Sequence, residues 1–338
     1  MPQISSIGKF LDQPLLTAKL NKNIPAILTL GSGIVLARET RNTPPQKRKK
    51  TAIKTGIILA ATGISAIKAP KIASYLTKRQ NALSITELKA QNSQLINDYL
   101  ANNKVSTKIQ EILTKAKTKV LSLKEINELF SAKEHKAFAN QLIPPPENIK
   151  AKDIFKEIGW LSIYGAIPVA GGLAGGIVAD RITEKHWKER IPNKINEGVY
   201  QYLANIFLCN IGAGAALGIL EKMNIKSKSA RCIGMVGGIL LTGVIGGSAI
   251  ANLIAKKVVN PLIKGNKENE TRTPELLDLG LHTDDIATVS LLSGLKWIEP
   301  SLPLLYSISG YRAGIGYRNH KKHDNNHEKQ AHFLRTKC

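Results

Sequence analysis

IGWLSIYGAIPVAGGLAGGIVA, residues 158–179, carries no charged side chain between Glu157 and Asp180. A helix rises about 1.5 Å per residue, so a helix of this length covers about 30 Å, the hydrocarbon thickness of a bilayer. Lipid supplies no partner for a stray amide or carbonyl, so a crossing segment closes its hydrogen bonds internally, as a helix does. Residues 198–220, between Glu197 and Glu221, and residues 232–255, between Arg231 and Lys256, repeat the pattern. These blocks predict an all-α fold: a multi-pass transmembrane helix bundle.

A fourth span is expected near the C-terminus and is less regular. Thr283 suits the cap of a helix over 286–298, but Lys296 and Glu299 interrupt the apolar run, and Pro300 and Pro303 remove amide donors. The apolar stretch resumes at 301–317 with Arg312 inside it. This pattern fits either an interfacial helix leading into a short span or one proline-broken transmembrane helix.

Two blocks before these look shortened. Residues 24–37 lie uncharged between Lys22 and Arg38, and residues 55–67 between Lys54 and Lys68. Both fall short of the roughly twenty residues a span needs, so a hairpin dipping into the membrane or resting on the bundle is expected. Residues 24–37 also have a signal-like character, ending in Val35-Leu36-Ala37. Residues 1–23 trace a mixed amphipathic face suited to the interface. The linker between the two blocks contains Pro44-Pro45 and the run Lys47, Arg48, Lys49 and Lys50, which predicts contact with lipid headgroups.

Residues 81–146 read as a basic, soluble helical domain. Ser84 with Glu87, Ser122 with Glu125, and Ser131 with Glu134 have capping-box spacing, in which hydroxyl and carboxylate satisfy the first amides of a helix. Val105, Ile109, Ile112, Ala116 and Val120 recur on one helical face. Pro144-Pro145-Pro146 ends the domain. The expected organisation is a membrane-associated region over 1–80, the helical domain over 81–146, the transmembrane bundle over 147–318, and a basic, histidine-containing tail over 319–338. Four spans after a cytoplasmic 68–157 keep the Lys47–Lys50 run on the cytoplasmic side, as the excess of basic residues in cytoplasmic loops requires. The expected location is a bacterial inner (cell) membrane.

Glycines recur at four-residue spacing within the spans: Gly171 with Gly175, Gly172 with Gly176, Gly214 with Gly218, Gly234 with Gly238, Gly243 with Gly247, and again Gly310 with Gly314. Such spacing lets two helix backbones approach closely in lipid, where burial of apolar surface gives little drive. The facing helix belongs either to this chain or to a second copy, so self-association through these faces is one expectation. Residues 24–38 also echo 167–181, with Pro25, Gly33 and Arg38 matching Pro168, Gly176 and Arg181, which suggests a degenerate duplication.

Ionisable and strongly polar groups inside the apolar blocks are few: Asn205, Asn210, Asn252, Lys296 and Glu299. Ionisable groups at membrane depth are costly, which marks them as functional candidates. His323 and His327 would share a helix face in the tail and are the weak metal candidates, although no metal site is expected. Cys209, Cys232 and Cys338 lack CxxC or metal-ligand spacing. No phosphate-binding loop, dinucleotide fingerprint, HExxH or GxSxG is present. No cofactor is expected, and the balance leans away from an enzyme.

Net charge is +23, from 48 Lys and Arg against 25 Asp and Glu, so the partner is a polyanion. With aromatic residues at only 5% and no stacking platform interleaved with the basic residues, anionic membrane lipids are favoured over nucleic acid. The leading expectation is a non-enzymatic interaction or scaffold protein. One alternative is a transporter or channel using the broken last helix; another is a soluble helical protein that inserts conditionally.

Overall fold

A computed structural model of the chain describes residues 2–80, 82–144, 151–225, 228–259, 261 and 296–316. Every regular element among them is helical. Helix α1 (Pro2–Leu11) leads into α2 (Pro14–Arg41), and a short turn brings the chain back as α3 (Arg48–Thr77). Four shorter helices follow: α4 (Ile85–Asn102), α5 (Thr107–Ala116), α6 (Leu123–Ser131) and α7 (Lys136–Leu142). Then come the long α8 (Ala151–Thr183) and α9 (Ile191–Tyr202), which continues through a π-helical segment, Leu203–Leu208, into α10 (Cys209–Lys222). Helix α11 (Lys228–Ile239) passes through the π segment Leu240–Gly247 into α12 (Ser248–Ile254). A 3₁₀ turn, Lys296–Ser301, opens the last helix, α13 (Leu302–Ile315).

Four helices are long and apolar enough to cross a membrane: Pro14–Arg41, Pro45–Thr77, Phe155–Thr183 and Trp187–Lys222. The last two contain the expected blocks 158–179 and 198–220. The first two absorb the blocks expected to be too short. A helix does not end where a lysine or arginine appears, because the aliphatic stem lies along apolar surface while the charge reaches toward water. The uncharged length therefore understates the helical length. The third expected block is helical too, within the consecutive elements from Lys228 to Val259, and includes the shorter apolar helix Ile233–Gly243.

Helices α3, α8 and α13 form the centre of the bundle. A Cβ placed on Gly172 would collide with the carbonyl of Gly310, and one on Gly176 with the carbonyl of Gly314, so α8 and α13 run parallel. Gly171 meets Ser65 and Gly175 meets Ala61, which sets α3 antiparallel to α8. Trp160, Leu161, Tyr164, Ile206 and Tyr306 fill the core between them, with the Tyr164 and Tyr306 rings edge-on at 5.4 Å. Helix α2 packs on α3 more loosely and buries Leu15, Ile24 and Leu28. Its Leu30 and Ile34 are each 70% exposed, as lipid-facing side chains are.

The helical domain has a separate core of Ile96, Leu113, Ile126, Leu129 and Phe138. Capping boxes are present at Ser84–Glu87 and Ser122–Glu125. The third expected box is absent: Ser131 ends α6 and donates to the Glu128 carbonyl at 2.9 Å, and a 3₁₀ turn follows. Ser106 caps α5 instead, accepting from the amide of Ile109. The apolar stripe stops at Ala116, where α5 ends, so Val120 lies outside it. Helix α1 docks on this domain, with Lys9 Nζ 3.6 Å above the Phe130 ring. Beside it, Gln13 accepts from the Leu121 amide at 2.7 Å and donates to the Leu121 carbonyl at 2.9 Å.

Candidate functional site: two charged layers of the bundle

Antiparallel packing of α3 on α8 brings the start of α3, the end of α8, the start of α9 and the end of α13 to one end of the bundle. Asp180, in the last turn of α8 and 1% exposed, faces three cations there, with Arg190 the farthest at 3.9 Å. Its Oδ1 lies 2.6 Å from Lys54 Nζ and its Oδ2 3.2 Å from Lys194 Nζ. Lys194 also donates to the carbonyls of Gly314 and Ile315, the latter at 3.2 Å. A helix leaves its last carbonyls without intrahelical donors and carries partial negative charge there, so the ammonium acts as an external cap for α13. Farther out, Glu184 takes Lys50 at 2.7 Å and Arg190 at 3.1 Å.

A polar ladder continues inward along one face of α9 and into the π segment that follows it. Glu197, 1% exposed, lies 3.5 Å from Arg312 Nε and accepts from Gln201 at 2.7 Å. Gln201 in turn accepts from Asn205 at 2.9 Å. Lys194, Glu197, Gln201 and Asn205 sit three or four residues apart, which places them one above another on a helix. Each charge in this low-dielectric setting has an opposite partner or a helix end, as burial demands.

The other end carries a second layer. Arg79, just past α3, reaches Glu157 at 3.2 Å and Glu299 at 3.5 Å, with its guanidinium 3.9 Å above the Trp160 ring. The indole donates to Ser74 Oγ at 3.2 Å. From Glu157 to Asp180 along α8 the rise is about 35 Å, close to the thickness of a bilayer's apolar core. The two layers therefore bracket the apolar part of the bundle.

The polar residues singled out from sequence are not brought together. Asn205 belongs to the ladder, whereas Glu299 belongs to the Arg79 layer. Asn210, 1% exposed, has no hydrogen-bond partner among the described residues on its side-chain nitrogen or oxygen. The Lys296 side chain lies outside the described residues, as do His323 and His327. No known protein family, curated protein or solved structure matches the chain.

The glycines divide into two environments. Besides the α8 contacts, Gly238 meets the Gly212 carbonyl, Gly243 meets Cys209, Gly247 meets Ala204, Gly234 meets Leu220, and Gly214 meets Ile158. Gly218 is half-buried on α10. By contrast Gly33, Gly56 and Gly63, on the α2–α3 hairpin, face open space. The echo between 24–38 and 167–181 thus pairs an open Gly33 with a Gly176 pressed on Gly314. Lys47, Arg48, Lys49 and Lys50 stand at the start of α3, about 45 Å along the helix from its end near the helical domain. The run therefore stands at the opposite end of α3 from the helical domain.

Sequence reading missed Lys54, Asp180 and Glu197 because they mark the ends of apolar runs, Lys194 because it lies outside them, and Gln201 because an uncharged amide near a span's start drew no notice. The signal available was the helical spacing of Lys194, Glu197, Gln201 and Asn205.

Proposed function

We propose that the protein is a non-enzymatic membrane scaffold: a bundle fastened by small-residue contacts and buried ion pairs, which holds the basic helical domain at one membrane face. The Lys54–Asp180–Lys194 set carries this reading, because it joins α3, α8, α9 and the end of α13 in one buried cluster. Buried charges of this kind are a recognised means of fixing one arrangement of helices over others. In this reading the glycine faces close the chain on itself, and the Lys47–Lys50 run rests on anionic headgroups of the leaflet opposite the domain.

The test has two parts. Alkaline carbonate extraction of membranes carrying the full chain is expected to leave it in the pellet. Leu220→Cys with Gly234→Cys is then expected to crosslink within one chain. A dimer-sized product from that pair places the glycine face between copies and removes the closed-bundle reading. Release into the supernatant removes the membrane reading altogether.

A second reading, a transporter, draws on the ladder from Lys194 to Asn205 and on Asn210, which has no side-chain partner among the described residues, since ionisable and polar groups at membrane depth line many ion pathways. Asn205→Cys and Asn210→Cys discriminate: labelling by a water-soluble thiol reagent in intact membranes favours a pathway, and protection favours the scaffold.

A further inference from the structure

The seam between α2 and α3 is not closed. At the end nearest the helical domain it opens into a cavity of about 400 Å³ whose walls include Asn21, Lys71, Arg79, Gln80, Trp160 and Tyr164. Pro25 of α2, Pro70 of α3 and Pro303 of α13 also border it. Pro25 and Pro70, inside their helices, each lack an amide and bring a ring toward the preceding turn, which works against close helix packing. Farther along the same seam lies a second cavity of about 290 Å³ with an apolar lining that includes Leu28, Gly33, Gly56, Gly63 and Ile64. Ile67 borders both, so the two are successive parts of one crevice.

The chemistry changes along the crevice as it does along a lipid. The wide end is the more polar of the two, with Lys71, Arg79, Glu299 and two amides set among apolar side chains and an aromatic wall. The narrow end is apolar and lined by glycines whose missing side chains leave it open. From Lys71 to Gly56 the rise along α3 is about 22 Å, against about 15 Å for one leaflet of the hydrocarbon core. An acyl chain starting at Lys71 therefore fits lengthwise. Glu299, which lines the cavity, and Glu157 close by both pair with Arg79, at 3.5 and 3.2 Å. Lys71 makes no ion pair among the described residues, which leaves its charge for a ligand's oxyanion.

We propose that the α2–α3 seam is a binding site for one anionic glycerophospholipid, its phosphate at Lys71 beside Trp160 and one acyl chain along the groove past Gly63. This rests on α2 and α3 lying in a bilayer and is independent of the scaffold role. The site is also distinct from the Lys47–Lys50 run at the other end of α3.

Native mass spectrometry of the full chain, delipidated in detergent and mixed with dioleoyl phosphatidylglycerol or dioleoyl phosphatidylcholine, tests it. The expected result is one retained lipid per chain, with phosphatidylglycerol favoured about five-fold, the worth of one lysine beside an anionic headgroup. Lys71→Gln is expected to abolish the preference while leaving retention. Gly63→Phe, which fills the groove, is expected to abolish retention of both lipids. Gly33→Phe fills it from the opposite wall and serves if the first variant loses helicity by circular dichroism. Wild-type retention in a folded groove-filling variant, or an unchanged preference in Lys71→Gln, overturns the proposal.

Discussion

Lys194 Nζ and Asp180 Oδ2 stand 3.2 Å apart with side chains only 2% and 1% exposed. Neither charge could remain at that depth alone. Removing one partner of a buried pair leaves an uncompensated charge and costs about 3–5 kcal/mol. Asp180→Asn is expected to fall in that range, because it strands both Lys54 and Lys194. Combining it with Lys194→Met should recover part of the loss, since neighbouring substitutions are not additive. Thermal unfolding in detergent, followed by circular dichroism, measures both; full additivity argues against the pairing.

Glycine positions should sort by environment rather than by motif. Gly172→Val drives a side chain into the carbonyl of Gly310, and either backbone must shift. A loss of about 1–3 kcal/mol or more is expected from overpacking. A Cβ at Gly56 meets nothing within 4 Å, so Gly56→Ala should lie within about 0.5 kcal/mol of wild type. Equal effects at the two positions in the same unfolding assay contradict the packing of α8 on α13.

Gln13 binds both backbone groups of Leu121, a residue far along the chain, and so holds α1 on the helical domain. Gln13→Ala leaves the Leu121 amide and carbonyl without these partners, at about 1–3 kcal/mol for each buried group left unsatisfied. Hydrogen exchange should rise at Leu121 and across α1, while protection within α8 stays unchanged. A rise confined to α1 would show that the clamp does not support the domain.

The α6 cap gives the helical domain a pH dependence. Burial opposes the charge of Glu125, but hydrogen bonds from Lys115, the Ser122 amide and the Ser122 hydroxyl outweigh it and hold the carboxyl below the ordinary glutamate range. A carboxyl with a folded pKa below its unfolded value stabilises fully above the unfolded value, about 4.3, and loses that contribution as pH falls through the folded one. Exchange of the first amides of α6 should therefore be flat from pH 7 to 5 and quicken below about pH 4, after correction for intrinsic rates. Glu125→Gln should quicken it at pH 7 and remove the further step.

What could be read from the sequence was whatever depends on local order. Glu157 and Asp180 delimit α8's apolar stretch because charge marks a boundary directly. Capping at Ser84 and Ser122 was legible because hydroxyl and carboxylate act within one turn. The lengths of α2 and α3 were not, since Lys19, Lys22 and Arg38 end an uncharged run without ending a helix. The Glu299–Arg79 and Lys194–Asp180 pairs join elements far apart in the chain, and spacing along one helix carries no information about the partner on another. Ser131 shows the converse: it has the right residue three places on, but α6 ends there and a 3₁₀ turn, with no α-helix capped by Ser131, follows.

Asn210 is the remaining polar group at depth, and its amide is unmatched by any protein group described. A buried donor or acceptor without a partner costs about 1–3 kcal/mol, and replacing it by an apolar group of similar shape relieves that cost. Asn210→Leu is therefore expected to raise the unfolding midpoint in detergent. Asn205→Leu should lower it, because Asn205 donates to Gln201 within the ladder. The contrast separates two asparagines that the sequence presents alike. If Asn210→Leu destabilises as much as Asn205→Leu, Asn210 has a partner when the protein sits in lipid, and that result would favour a polar pathway along α10 over a closed bundle.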